Sequence, residues 1–61
     1  MEVMRITYYS GLYEHELTDN VHGDIKFVEQ NGVQGVLYAT MGHKKFVAVK
    51  NVKKIEKTIV G

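Results

Sequence analysis

The sequence predicts an all-β fold: a small antiparallel barrel or a strongly curved sheet of five to six short strands, with room for one short 3-10 turn or helix near the C-terminus. Three observations carry this prediction. Glycines at 11, 23, 32, 35, 42 and 61 divide the chain into runs rich in Val, Ile, Tyr, Phe and Thr, the residues that suit a pleated, half-buried surface. Within the runs, apolar and polar side chains alternate with a period of two, as strands with one buried face require. Asn31-Gly32 stands between two such runs, and a two-residue hairpin turn needs positive φ at both central positions, which Asn and Gly accept cheaply.

The strands follow in order. In MRITYY, Met4, Ile6 and Tyr8 form an apolar face against Arg5, Thr7 and Tyr9. Ser10-Gly11 reads as a two-residue turn into LYEHEL, where Tyr13, His15 and Leu17 share a face opposite Leu12, Glu14 and Glu16. A polar stretch, TDNVHGD, separates this first hairpin from the second, IKFVEQ-NG-VQGVLYAT. Gly35 inside the last of these runs suggests a bulge or a sharp bend. Met41-Gly42-His43 turns the chain into KKFVAVK. The C-terminal NVKKIEKTIVG admits two readings. Val52, Ile55 and Ile59 fall at helical spacing behind a capping Asn51, whereas Ile55, Lys57 and Ile59 alternate with Glu56, Thr58 and Val60 as in a strand. Thr, Ile and Val disfavour a short isolated helix, so the expectation is one tight turn at 51–54 followed by a final strand.

Length bounds what such a fold can do. A 61-residue chain buries only about 60% of the surface its unfolded form exposes, so one domain with a thin core is expected. Without cysteine there is neither a disulfide nor a thiolate metal site, and oligomerisation is the support that remains for so small a scaffold. Cysteine-free composition fits a reducing compartment. The N-terminal MEVMRITYY lacks a basic region leading into an apolar run, and no stretch reaches the roughly 18 apolar residues of a membrane helix, so a cytoplasmic protein with no membrane partner is expected.

The net charge of +1 conceals a polarity along the chain. Residues 1–42 carry Arg5 and Lys26 against Glu2, Glu14, Glu16, Asp19, Asp24 and Glu29, a net −4, while residues 43–61 carry Lys44, Lys45, Lys50, Lys53, Lys54 and Lys57 against Glu56, a net +5. Such a split means a basic binding face, complementary pairing between subunits, or charges that disperse once the chain folds.

The stretch FVAVKNVKKIEK resembles the end of SH3-like and Sm-like small barrels, in which a strand runs into a one-turn 3-10 helix and then a last strand, with a pattern of the form V-x-x-x-x-V-x-x-I. The resemblance covers about a quarter of the chain. It implies a fold and transfers no functional residue, because neither a clustered aromatic groove with an acidic loop nor an Asp-Asn pair beside a strand end accompanies it.

Catalytic and metal chemistry find little support. His15, His22 and His43 match no ligand spacing, even with Asp19 or Asp24 added, and isolated histidines on strands and turns are ordinarily surface residues, so no metal and no cofactor is expected. Ser10 is the one serine and lies in a turn, and Glu14 and Glu16 have no partner base. GVQG lacks the Lys-Ser/Thr step of a phosphate loop. The chain is read as a non-enzyme.

Two surfaces remain. Tyr8, Tyr9, Tyr13 and Tyr38 offer the large amphipathic area that protein interfaces favour, although cross-strand pairing within one sheet explains them equally well. Lys44, Lys45, Lys50, Lys53, Lys54 and Lys57 would form the nucleic-acid interface of an alternative reading, but a pI near 8.0 and a lone arginine are weak for a nucleic-acid binder, and lysines also guard exposed strand edges against unwanted pairing. The tyrosines lie in the acidic half and the lysines in the basic half, which separates stacking groups from phosphate-binding ones. The expected function is therefore a homo-oligomeric protein-binding module that binds or inhibits a larger protein, analogous to a phage or mobile-element accessory factor, with a small nucleic-acid-binding protein as the alternative.

Overall fold

The computed structural model describes residues 1–10 and 15–60; Gly11, Leu12, Tyr13 and Glu14, on which part of the expected first turn and the start of the strand after it fall, lie outside the described residues, while Ser10, expected in that turn, is instead strand and pairs with His15. The fold is all-β, as the alternation predicts. Five strands, β1 (Glu2–Ser10), β2 (His15–Gln30), β3 (Val33–Thr40), β4 (His43–Ala48) and β5 (Val52–Ile59), form one antiparallel sheet in the order β4-β3-β2-β1-β5. The sheet curves strongly without closing, so β4 and β5 are its edges. One 3-10 turn, Val49–Asn51, carries the chain from β4 to β5. Among the described residues no helix is long and apolar enough to cross a membrane.

The polar stretch TDNVHGD is strand rather than a link between hairpins. β2 runs unbroken for 16 residues, pairing with β1 from His15 to Val21 and with β3 from His22 to Gln30. The register slips between the two halves: His22 to Lys26 is four steps along β2, opposite two steps from Ala39 to Leu37 along β3. The surplus residues make a bulge, and a bulge bends the strand that carries it. Gly23 supplies the required backbone there, with φ of 87°. The stretch looks like a loop in sequence because only Asp19 and Val21 point inward while Thr18, Asn20, His22 and Asp24 face solvent.

Gly35 also differs from expectation. It pairs in register with Val28 on one side and Ala48 on the other, with no bulge. Its lack of a side chain makes room for a neighbour instead, because a Cβ at this position would stand 2.5 Å from the Phe46 ring and 2.6 Å from the Val47 carbonyl oxygen. The two-residue turn at Asn31-Gly32 forms as predicted, with φ of 51° and 80°. The C-terminal turn comes two residues earlier than expected, at 49–51 rather than 51–54, and β5 then runs straight from Val52.

Curvature folds β1, β5 and the first half of β2 over β3, β4 and the second half of β2. Between them lie Ile6, Tyr8, Val21, Val36, Tyr38 and Val47, flanked by Met4, Ile25, Val52 and Ile55. Ile6 and Val36 are the two large side chains sealed completely from water. Fully burying side chains of this kind contributes about 1.5–3 kcal/mol each. With so few of them, the core is thin and two of its six members are tyrosines, whose hydroxyls need partners inside.

Candidate functional site

Those partners define a polar cluster with one residue from each of four strands. The Tyr38 hydroxyl of β3 donates to Asp19 Oδ2 of β2 at 2.7 Å. Lys45 Nζ of β4 donates to the same oxygen at 3.1 Å and to the Tyr8 hydroxyl of β1 at 3.3 Å, with its ammonium 5.9 Å from the Tyr8 ring centroid. Burial pushes the Asp19 carboxyl upward, but hydrogen bonds from Tyr38 and Lys45 outweigh it and hold the group below the usual carboxylate range. Burial, reinforced by the bond to Asp19, drives the Tyr38 phenol well above its ordinary value, so it stays a donor. The bond to Asp19 raises Lys45 and keeps it charged. Every buried side-chain polar atom among the described residues has a partner.

This cluster takes two of the expected contact tyrosines out of play. Tyr38 is 2% exposed and Tyr8 9%, so neither offers a partner appreciable area, and their role is to fill the core while their hydroxyls stay bonded. Tyr9 points to the outer face, half-buried, opposite Glu16. Tyr13 falls outside the described residues.

The lysines do not converge either. Lys44 and Lys45 sit on the β4 edge, Lys53, Lys54 and Lys57 on the β5 edge, and Lys50 in the turn between them. Four of the six are held by carboxylates: Lys45 by Asp19, Lys53 by Glu16, Lys54 by Glu56 at 3.5 Å and Lys57 by Glu2 at 3.6 Å. The hydrogen bond to Glu16 raises Lys53 above its ordinary value. The sequence dipole is thus partly cancelled in three dimensions, since three of these pairs join acidic residues of β1 and β2 to basic residues of β4 and β5, while Lys54–Glu56 lies within β5. Lys44 keeps company with Lys26, Leu37, Ala39 and Asp24 around a shallow depression of about 150 Å³ on the outer face, where Asp24 offsets part of the charge. Among the described residues no group of His, Asp and Glu could hold a metal ion.

A different surface is conspicuous. Phe27 stands directly across from Val36 on the inner face of the sheet, yet it is 75% exposed, because the covering half of the molecule does not reach that far along β2. Val49 of the 3-10 turn is 47% exposed and Val33, just after the Asn31-Gly32 turn, 43%. Between β2, β3 and the turn lies a groove of about 300 Å³ lined by Phe27, Val28, Glu29, Gln34, Gly35 and Val49. Sequence reading missed this site, although one signal was present. Ile25, Phe27 and Glu29 alternate onto one face, and a charged residue ending an apolar face marks where that face leaves the core. The chain matches no family model, and no curated protein or solved structure is significantly similar to it.

Proposed function

We propose that the chain is a non-enzymatic protein-binding module of the SH3-like or Sm-like small-barrel kind, homo-oligomeric, which acts by occupying the surface of a larger protein. The observation that carries this reading is the exposure of Phe27 beside an apolar groove. Large aromatic side chains anchor protein interfaces because they bury much area with few rotatable bonds, and a contiguous apolar patch around a concavity is where such an anchor is used. The strand order and the 3-10 turn between β4 and β5 support the small-barrel plan. Glu29 is the one ionisable side chain among the groove's lining residues, which supports binding over catalysis. Protein is favoured over nucleic acid because Lys45, Lys53, Lys54 and Lys57 are already paired within the chain, and phosphate binding would have to break those pairs.

The test is capture with two matched baits, the wild-type chain and Phe27→Asp, whose fold is checked first by circular dichroism. A protein retained by the wild type and lost with Phe27→Asp is the expected result. Equal retention by both baits, or retention of nucleic acid that Phe27→Asp leaves unchanged, would contradict it.

A further inference from the structure

The tip of the second hairpin places a side-chain amide carbon, Asn31 Cγ, next in the chain to a backbone nitrogen able to attack it, that of Gly32. Glycine leaves this ring closure open because it carries no side chain to crowd its own nitrogen. Both reacting groups are free in the folded chain. Asn31 and Gly32 are exposed, and nothing lies within 4 Å of a Cβ built on Gly32. Among the described residues the Asn31 carboxamide takes part in no hydrogen bond and the Gly32 N–H donates none. The two residues lie beyond the last ladder pair, Gln30 with Val33, where the backbone rotations that ring closure needs break the fewest bonds. The other asparagines differ. Asn20 and Asn51 each precede a valine, whose branched side chain crowds the nitrogen, and the Asn20 carboxamide oxygen accepts from Arg5 Nε at 3.1 Å.

We infer that Asn31 is a site of spontaneous covalent modification, at which the folded chain loses ammonia and takes up water. The Gly32 nitrogen gives up its proton to hydroxide and bonds to Asn31 Cγ. The bond from Cγ to Nδ2 breaks, ammonia leaves, and a five-membered succinimide closes. Water then opens the ring on one of two sides. Cleavage between the nitrogen and Cγ restores the ordinary main chain with an aspartate at position 31, whereas cleavage between the nitrogen and the main-chain carbonyl carbon leaves isoaspartate, with the chain routed through Cγ. Either product takes the net charge from +1 to 0.

The two products differ in what they do to the hairpin. Aspartate followed by glycine suits the same turn. Isoaspartate adds one carbon to the main chain of a loop whose two-residue length sets the pairing of Gln30 with Val33. The next pair inward, Glu29 with Gln34, lines the groove beside Phe27, so isoaspartate loosens the sheet at that end of the groove. The modification itself does not depend on the binding-module reading.

Incubating the purified full chain at body temperature, at neutral and at mildly alkaline pH, and following its intact mass tests this. The wild type should gain about 1 Da as an amide becomes an acid, and should resolve by chromatography into two new species of that mass. The gain should be faster at the higher pH, because the attacking nitrogen must lose its proton. Fragmentation should place the change at residue 31. Asn31→Gly, which keeps a sequence suited to the turn and has no carboxamide, should gain nothing. The aspartate species should melt with Asn31→Asp, and the isoaspartate species about 4 °C or more lower. A folded chain that gains no mass over weeks in which the guanidinium-unfolded chain does so overturns the inference, as does a gain that maps to Asn20 or Asn51 or that persists in Asn31→Gly. A melting temperature common to both products would overturn the consequence drawn for the hairpin.

Discussion

Tyr38 donates a 2.7 Å hydrogen bond to Asp19, and through this contact a core that is one-third tyrosine keeps no unsatisfied hydroxyl. The bond ties β3 to β2, and Lys45 extends the tie to β4 and β1. The two halves of the curved sheet are therefore joined by polar contacts as well as by apolar packing.

Removing the shared acceptor should be costly. Asp19→Ala leaves the Tyr38 hydroxyl buried without a partner and is expected to lower stability by about 1–3 kcal/mol, read by urea unfolding. Asp19→Asn keeps an acceptor for Tyr38 but not the charge that holds Lys45, and should cost less than Asp19→Ala.

Acid sensitivity follows from the same residue. Its folded carboxyl lies below its unfolded value of about 3.9, so the unfolded state binds the proton more readily. The stability this contributes is fully present above about pH 4 and is lost as pH falls through the folded pKa. Thermal unfolding of the wild type should fall more steeply below about pH 4 than that of Asp19→Asn; parallel acid limbs would remove Asp19 from the account.

Gly35 is fixed by contact. Its Cβ would meet the Phe46 ring and the Val47 carbonyl oxygen, so Gly35→Ala should destabilise by about 1–3 kcal/mol despite the usual preference for Ala over Gly in strands. Trimming the ring with Phe46→Leu should restore only part of the loss, because the carbonyl belongs to the backbone and cannot step aside.

Gly23 is fixed by backbone conformation. Nothing lies within 4 Å of a Cβ built there, but φ is 87°. Gly23→Ala should cost about 1 kcal/mol, and D-Ala, introduced by chemical synthesis, should cost nothing. Equal effects of the two enantiomers would mean that the bend in β2 does not depend on this φ.

Much of this fold was legible from the chain. The Asn31-Gly32 hairpin follows from the φ each residue tolerates, and the Met4, Ile6 and Tyr8 face follows from period-two alternation over a strand with one buried side. What escaped sequence reading is governed by distant contacts. TDNVHGD is polar because the bend in β2 leaves most of it facing water, and polarity alone cannot distinguish a bent strand from a loop. Gly35 looks the same in sequence whether it makes a bulge or receives a ring from the next strand. Tyr8 and Tyr38 read as candidate contact residues because the partners of their hydroxyls, Lys45 and Asp19, lie 37 and 19 residues away. The exposure of Phe27 escaped as well, because it depends on where the opposite half of the sheet stops.

That copies of this chain associate through the end of the molecule bearing Phe27 is tested most directly by amide chemical shifts followed while the pure chain is diluted from about 1 mM to about 10 µM. The account predicts concentration-dependent shifts at Phe27, Val28, Gly35, Val49 and Lys50, with the outer face around Arg5, Asn20 and Glu56 unmoved. A spectrum that does not change, or changes confined to the β4 or β5 edge, would contradict it.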